Sequence, residues 1–203
     1  ARLLFRDATL LDCTGREPVY PAWVAVEDGL ITEVGEGAAP NPAGAETVDC
    51  RGRTLMPGLI DAHIHASLFT NDLGDLHRKF LPSMSCFMAA KILEDTLHQG
   101  FTTVRDAGGA DAGFREAQKQ GLITAPRMQV CGRSITMTGG HADARLPTEL
   151  VPPIEVGMMG VIADGVDEVR RAAREQLRRG VDYVKVMAGG GCASPSDEPD
   201  TVQ

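Results

Sequence analysis

Met56-Pro57-Gly58-Leu59-Ile60-Asp61-Ala62-His63-Ile64-His65 is the stretch on which the reading of this sequence turns. Pro57-Gly58 punctuates the chain, and residues 59–65 then run as an apolar strand ending in His-x-His. Side chains two apart on a strand leave from the same face, so both imidazoles can reach one divalent ion. The competing reading is a pair of exposed or core histidines that bind nothing. The apolar strand and the Pro-Gly before it favour metal.

Downstream of this strand the texture alternates. Residues 85–99 carry Phe87, Met88, Ile92, Leu93 and Leu97 at roughly helical spacing, with Gly100 as terminator. Phe101-Thr102-Thr103-Val104-Arg105 reads as a second strand, residues 111–120 as a short helix stopped by Gly121, and residues 128–132 as a third strand. Asp164 opens a helix to Arg179 whose acids (Asp167, Glu168) come early and whose bases (Arg178, Arg179) come late, the polarity a helix dipole favours. Residues 181–187 form a fourth strand. Strand–helix alternation predicts a parallel sheet, and strands of parallel barrels carry their active sites at the C-terminal ends, where His63 and His65 fall. Periodicity alone does not say whether such a sheet closes. Four strands stand against the eight of a closed (β/α) barrel.

Upstream, residues 1–54 read as a small β-domain. Strand-like runs occur at 3–5, 9–11, 23–26 and 30–34, and Glu27-Asp28-Gly29 between the last two is a hairpin signal, since Asp-Gly supplies the positive φ angles of a tight turn. A Pro/Gly/Ala loop follows over 35–44. The expected division is therefore 1–54 and 55–203. Thr201-Val202-Gln203 lies in a polar stretch that does not read as a natural domain end, so the second part is expected to be incomplete. Residues 194–203, acidic and containing Pro195 and Pro199, suit a mobile active-site loop.

The 203 residues are 43% hydrophobic and 24% charged, an ordinary globular composition. A net charge of −8 argues against nucleic-acid or anionic-membrane surfaces, and no apolar run approaches the length of a membrane span. Five scattered cysteines without CxxC spacing read as reduced thiols of a cytoplasmic protein and as poor zinc-finger material.

Further candidates follow the histidine pair. Lys185 sits in the apolar run Tyr183-Val184-Lys185-Val186-Met187. Pointing into a barrel, its amine must lose its charge, pair, or be modified, because a buried ammonium is costly. A neutral amine can add carbon dioxide to give a carbamate able to bridge two metals. Equally, the amine can reach solvent or a carboxylate. His141 lies in a glycine-rich loop and either meets substrate or bonds backbone. Asp106, ending the second strand, either stands behind the metals or caps the following loop, and the cap is favoured. His77 and His98 read as surface residues. Gly189-Gly190-Gly191 lacks the third spaced glycine of a dinucleotide fingerprint and precedes acids, which excludes a phosphate cradle.

Taken together, Pro57-Gly58-Leu59-Ile60-Asp61-x-His63-x-His65, the hairpin Val24-Ala25-Val26-Glu27-Asp28-Gly29-Leu30-Ile31-Thr32-Glu33-Val34-Gly35 and Tyr183-Val184-Lys185-Val186-Met187 resemble the amidohydrolase superfamily. Thr138-Gly139-Gly140-His141-Ala142-Asp143 and the glycines after Lys185 are similar to its branch of Xaa-Pro dipeptidases and imidazolonepropionase-like proteins. The resemblance implies a (β/α)8 TIM barrel, here only its first half, beside a β-sandwich. It also implies two zinc ions held in part by His63, His65 and a carboxylated Lys185, and a hydroxide between them. His141 would contact the substrate carbonyl. The family's two later histidines and its aspartate base come from strands beyond the fourth, so a partner for this chain is the remaining half of its own polypeptide, with homo-oligomers also possible. The substrate expected is a dipeptide such as Xaa-Pro. The alternatives are a single-metal cyclic-amide hydrolase or deaminase and, in a different class, a non-catalytic half-barrel.

Overall fold

The computed structural model describes residues 2–70, 76–150, 160–191 and 198–202. The chain divides into two compact units, Ala1–Gly58 and Leu59–Gln203.

The first unit is a sheet of five strands: β1 (Arg2–Leu10), β2 (Val19–Glu27), β3 (Leu30–Glu36), β4 (Glu46–Asp49) and β5 (Thr54–Leu55). Their order is β3-β2-β1-β4, with β5 also paired to β1. The β2–β3 hairpin closes on two residues, Asp28 (φ 51°) and Gly29 (φ 81°), with Glu27 facing Leu30. Both φ angles are positive, as a type I′ turn requires. The runs at 3–5 and 9–11 join into the single strand β1, interrupted by a bulge at Asp7 (φ 54°). Before the bulge β1 pairs in parallel with β4, and beyond it with β5. Phe5 lies opposite Val24 and Ala8 opposite Ala22, so residues three apart serve one face. Phe5, Leu10, Ala22, Val24, Val26 and Leu55 consequently share one apolar cluster. On β3, Ile31 and Val34 remain 69% and 48% exposed.

The second unit alternates parallel strands with helices. Strand β6 (Leu59–Ile64) is followed by helices α1 (Leu76–Lys79) and α2 (Pro82–His98), then β7 (Phe101–Asp106), α3 (Ala112–Lys119) and β8 (Arg127–Val130). The ladder β6-β7-β8 is parallel throughout. Helix α2 begins earlier than its apolar spacing suggested, because Pro82 is tolerated in the first turn, where its missing N–H costs no helical bond. Asp111 caps α3, its carboxylate accepting the Gly113 N–H at 2.9 Å. Val104, Met128 and Val130 face Leu93, Ala89 and Phe114 to form the layer between sheet and helices. Leu93 is fully buried there, a contribution of about 1.5–3 kcal/mol.

Two short strands, β9 (Ser134–Thr136) and β10 (Gly160–Ile162), form a second parallel pair that the sequence reading lacked. Helix α4 (Gly165–Arg178) follows, packing Ala172 against Ile135 and Ala163. The fourth strand expected over 181–187 is reduced to a single parallel bridge between Ile135 and Val186. The Ile135 N–H donates to the Lys185 carbonyl and the Met187 N–H to the Ile135 carbonyl, both at 2.8 Å. The Asp182 N–H also donates to the Val130 carbonyl at 2.8 Å, but residues 182–183 bend and the segment does not form a regular strand. Asp182 anchors its start, accepting the Val130 N–H at 2.8 Å and the Arg115 guanidinium at 2.6 Å. Of the expected loop over 194–203, residues 194–197 and Gln203 lie outside the described residues, and the Gly190 N–H donates to the Thr201 carbonyl. Cys13, Cys50, Cys86 and Cys131 are free thiols. Among the described residues no helix is long and apolar enough to cross a membrane.

Candidate metal centre

On β7 and β8, Val104, Met128 and Val130 point to the helices, which leaves the alternate residues on the opposite face. On β6, Ile64 packs against that helical layer, so its neighbours His63 and His65 lie on the opposite face with Arg105, while a register shift between Asp61 and Ile64 keeps Asp61 level with Val104. After the bend at 182–183, Val184 joins the cluster under α4, which places Lys185 on the other side. The Arg105 guanidinium lies 5.4 Å above the Tyr183 ring, and its Nε donates to the Ala62 carbonyl at 2.7 Å.

The rings of His63 and His65 are 5.2 Å apart, centre to centre, and inclined at 75°. Asp61 Oδ1 accepts the His63 backbone N–H at 3.0 Å. His65 Nδ1 stands 3.0 Å from the Gly108 carbonyl oxygen. A carbonyl only accepts, so Nδ1 carries a proton, and in the neutral ring Nε2 is then the nitrogen with the lone pair. Burial, and then the Lys185 charge, push the His63 imidazole below its ordinary value, with His65 and Arg105 acting in the same direction. A neutral imidazole is the form that binds metal. Lys185 itself is half-buried. The donor set available is thus two imidazoles and an amine, and nitrogen donors suit zinc. Among the described residues no group of three His, Cys, Asp or Glu comes together. Burial pushes the Cys131 thiol up to about 11, so it remains a thiol at neutral pH.

His141 follows β9 in a tight turn and is half-buried. Its imidazole lies against the backbone of Gly191, where any Cβ would overlap the ring. Asp143, almost fully buried, holds the turn by accepting the Gly139 N–H at 2.9 Å and both Nε and Nη2 of Arg145, at 2.8 and 2.6 Å. Burial raises the Asp143 carboxyl, but the Arg145 guanidinium and the N–H donors of Gly139 and Arg145 outweigh it and leave it below its ordinary value.

Asp106 is fully buried and accepts three backbone N–H groups, while the Tyr183 hydroxyl donates to its carbonyl at 2.6 Å. His98 is exposed at the end of α2; the His77 side chain lies outside the described residues. Sequence reading did not select Asp61, Arg105 or Tyr183. Alternation with Val104 was a signal that could have found Arg105; Asp61 and Tyr183 are placed by a register shift and a bend that alternation does not show.

Residues 54–201 match the amidohydrolase family. The chain is 34% identical to the ochratoxinase of Aspergillus niger over 210 aligned positions, covering 92% of this chain and 42% of the relative. A crystal structure of an amidohydrolase superposes with a TM-score of 0.92 at 40% identity, over all of this chain and 50% of that one. A prolidase in complex with N-methylphosphonate-L-proline does so with a TM-score of 0.93 at 33% identity, with the same coverage. The chain therefore spans about half the length of the proteins it matches. The match over 54–201 takes in His63, His65, His141 and Lys185 alike: this chain belongs to the amidohydrolase family.

Proposed function

We propose that these residues form the first half of a metal-dependent hydrolase of amide bonds, and that the complete enzyme is a binuclear zinc dipeptidase acting on Xaa-Pro or similar substrates. The observation that carries the reading is the pair His63 and His65 at the end of β6, their rings 5.2 Å apart, with Lys185 close enough to act on His63. His63 and His65 would hold zinc through ring nitrogens, and Lys185, carboxylated by addition of carbon dioxide with loss of a proton, would bridge two ions. When bound, the metal lowers the pKa of a water towards ~7 and polarises the amide carbonyl. His141, fixed by Gly191 and the Asp143–Arg145 pair, orients the substrate carbonyl and steadies the negative charge that develops on its oxygen. The prolidase and ochratoxinase relatives support an amide as the scissile group, and the bound proline analogue in the former supports a C-terminal proline.

Completion by further chain, as a (β/α)8 barrel beside a β-sandwich, is supported by uncovered apolar surface in each unit. Ile31 and Val34 stand open on the first, Ile60 and Val186 (70% and 53% exposed) on the second. A cytoplasmic location is supported by the free thiols.

The test is hydrolysis of Xaa-Pro dipeptides by the full-length protein before and after chelation, with metal counted by elemental analysis. Turnover should vanish with the metal and return with zinc. Chelator-resistant turnover would overturn the reading, and a single ion per site would favour the cyclic-amide hydrolase or deaminase alternative.

A further inference from the structure

The Asp106 carboxylate accepts backbone N–H groups, and through them it is tied to His65 from two directions. Its Oδ2 accepts the N–H of Ala66, the residue following His65, at 2.7 Å. Its Oδ1 accepts the N–H groups of Gly108 and Ala110 at 3.0 and 3.1 Å. Those bonds fold the chain after β7 so that the Gly108 carbonyl arrives 3.0 Å from His65 Nδ1. The Ala107 N–H meanwhile donates to the Ile64 carbonyl at 2.8 Å, stitching the same loop to the end of β6. Gly108 (φ 148°) is required in this path. A Cβ there would stand 2.9 Å from Ser134 Oγ and 3.7 Å from the His65 ring. Asp106 is thus the cap that its sequence position suggested. The loop it caps carries the atom that orients His65.

We infer that Asp106 is a positioning residue for His65: its carboxylate builds the turn that presents the Gly108 carbonyl to Nδ1, which fixes the proton there and leaves Nε2 directed away from the loop as a ligand. Only the last clause rests on the metal reading above. The fixed tautomer is a property of the metal-free protein as well. A carboxylate suits the task because both oxygens accept, and three N–H donors converge on it. An amide in its place would turn two donors of its own toward one set of those N–H groups.

The test uses the full-length protein with 15N-labelled histidine, metal-free and above neutral pH, the His65 signals being assigned by their loss in His65→Gln. Long-range 1H–15N correlations report which ring nitrogen is protonated. Wild type should show His65 with its proton on Nδ1, and Asp106→Asn should show a mixture of tautomers with zinc affinity weakened on the order of 10–100-fold. A wild-type His65 protonated on Nε2 overturns the inference without need of any variant, so poor folding of Asp106→Asn cannot shelter it. A folded Asp106→Asn that keeps the Nδ1–H tautomer and wild-type zinc affinity also overturns it. Wild type that holds the Nδ1–H tautomer but takes up no zinc supports the positioning while refuting the metal reading.

Discussion

Gly191 lies flat against the imidazole of His141, with no room between them for a methyl group. Of the glycines after Lys185, Gly191 is therefore the one whose missing side chain makes room for a histidine. Gly191→Ala should push His141 out of place and cost the complete enzyme about as much kcat as His141→Ala itself, on the order of 10²–10³-fold if the ring steadies the developing oxyanion. Metal content should be unchanged in both. Steady-state kinetics beside elemental analysis checks this, and a Gly191→Ala enzyme with wild-type kcat would remove His141 from the reaction.

If a carboxylated Lys185 bridges two ions as proposed, Lys185→Ala should lower metal content from two equivalents to one or none and abolish turnover in step. Small carboxylates added to the medium should restore part of both, since they can supply the two missing oxygens. Unchanged metal content would show that the amine bridges nothing.

A pH effect follows from Asp143. Its carboxyl is held below the ordinary 3.8 despite burial, chiefly by Arg145. A depressed acid contributes stability above its unfolded value and loses it as pH falls through the lower, folded value. Asp143→Asn should therefore be less stable than wild type near neutrality, by about 1–3 kcal/mol, and the difference should shrink as pH drops below 3.8. Denaturant titrations at several pH values measure it, and a gap independent of pH would contradict the ion pair's role.

Trp23, the chain's single tryptophan, is nearly buried, and its indole covers Gly35 on the neighbouring strand. Gly35→Ala should force the ring off its seat, with a loss of about 1–3 kcal/mol and a red shift of Trp23 fluorescence. An unshifted emission maximum would refute the contact.

The parts of this architecture that were legible in the sequence are those decided locally. Asp28-Gly29 can hardly be anything but a two-residue turn, and the spacing of His63 and His65 puts them on one face whatever the strand pairs with. What escaped depends on partners far along the chain. Strand β4 is exposed at all four positions, so it has no apolar alternation to betray it and exists because β1 offers an edge. The segment around Lys185 looked like a strand by composition, but a regular strand needs a ladder, and here only Ile135 supplies one. The reach of Asp106 to Ala66 is likewise invisible until β6 and β7 are side by side.

The bulge at Asp7 has a consequence for anyone who shortens or aligns this domain. Strand β1 speaks its hydrophobic code in two reading frames, one ending at Phe5 and the next resuming at Ala8, and the unpaired residues between them are the frameshift. Deleting one of them would leave Phe5, Ala8 and Leu10 in plain alternation on the same face, so a shortened chain would lose the step by which β1 passes from β4 to β5 rather than the side on which its apolar residues lie.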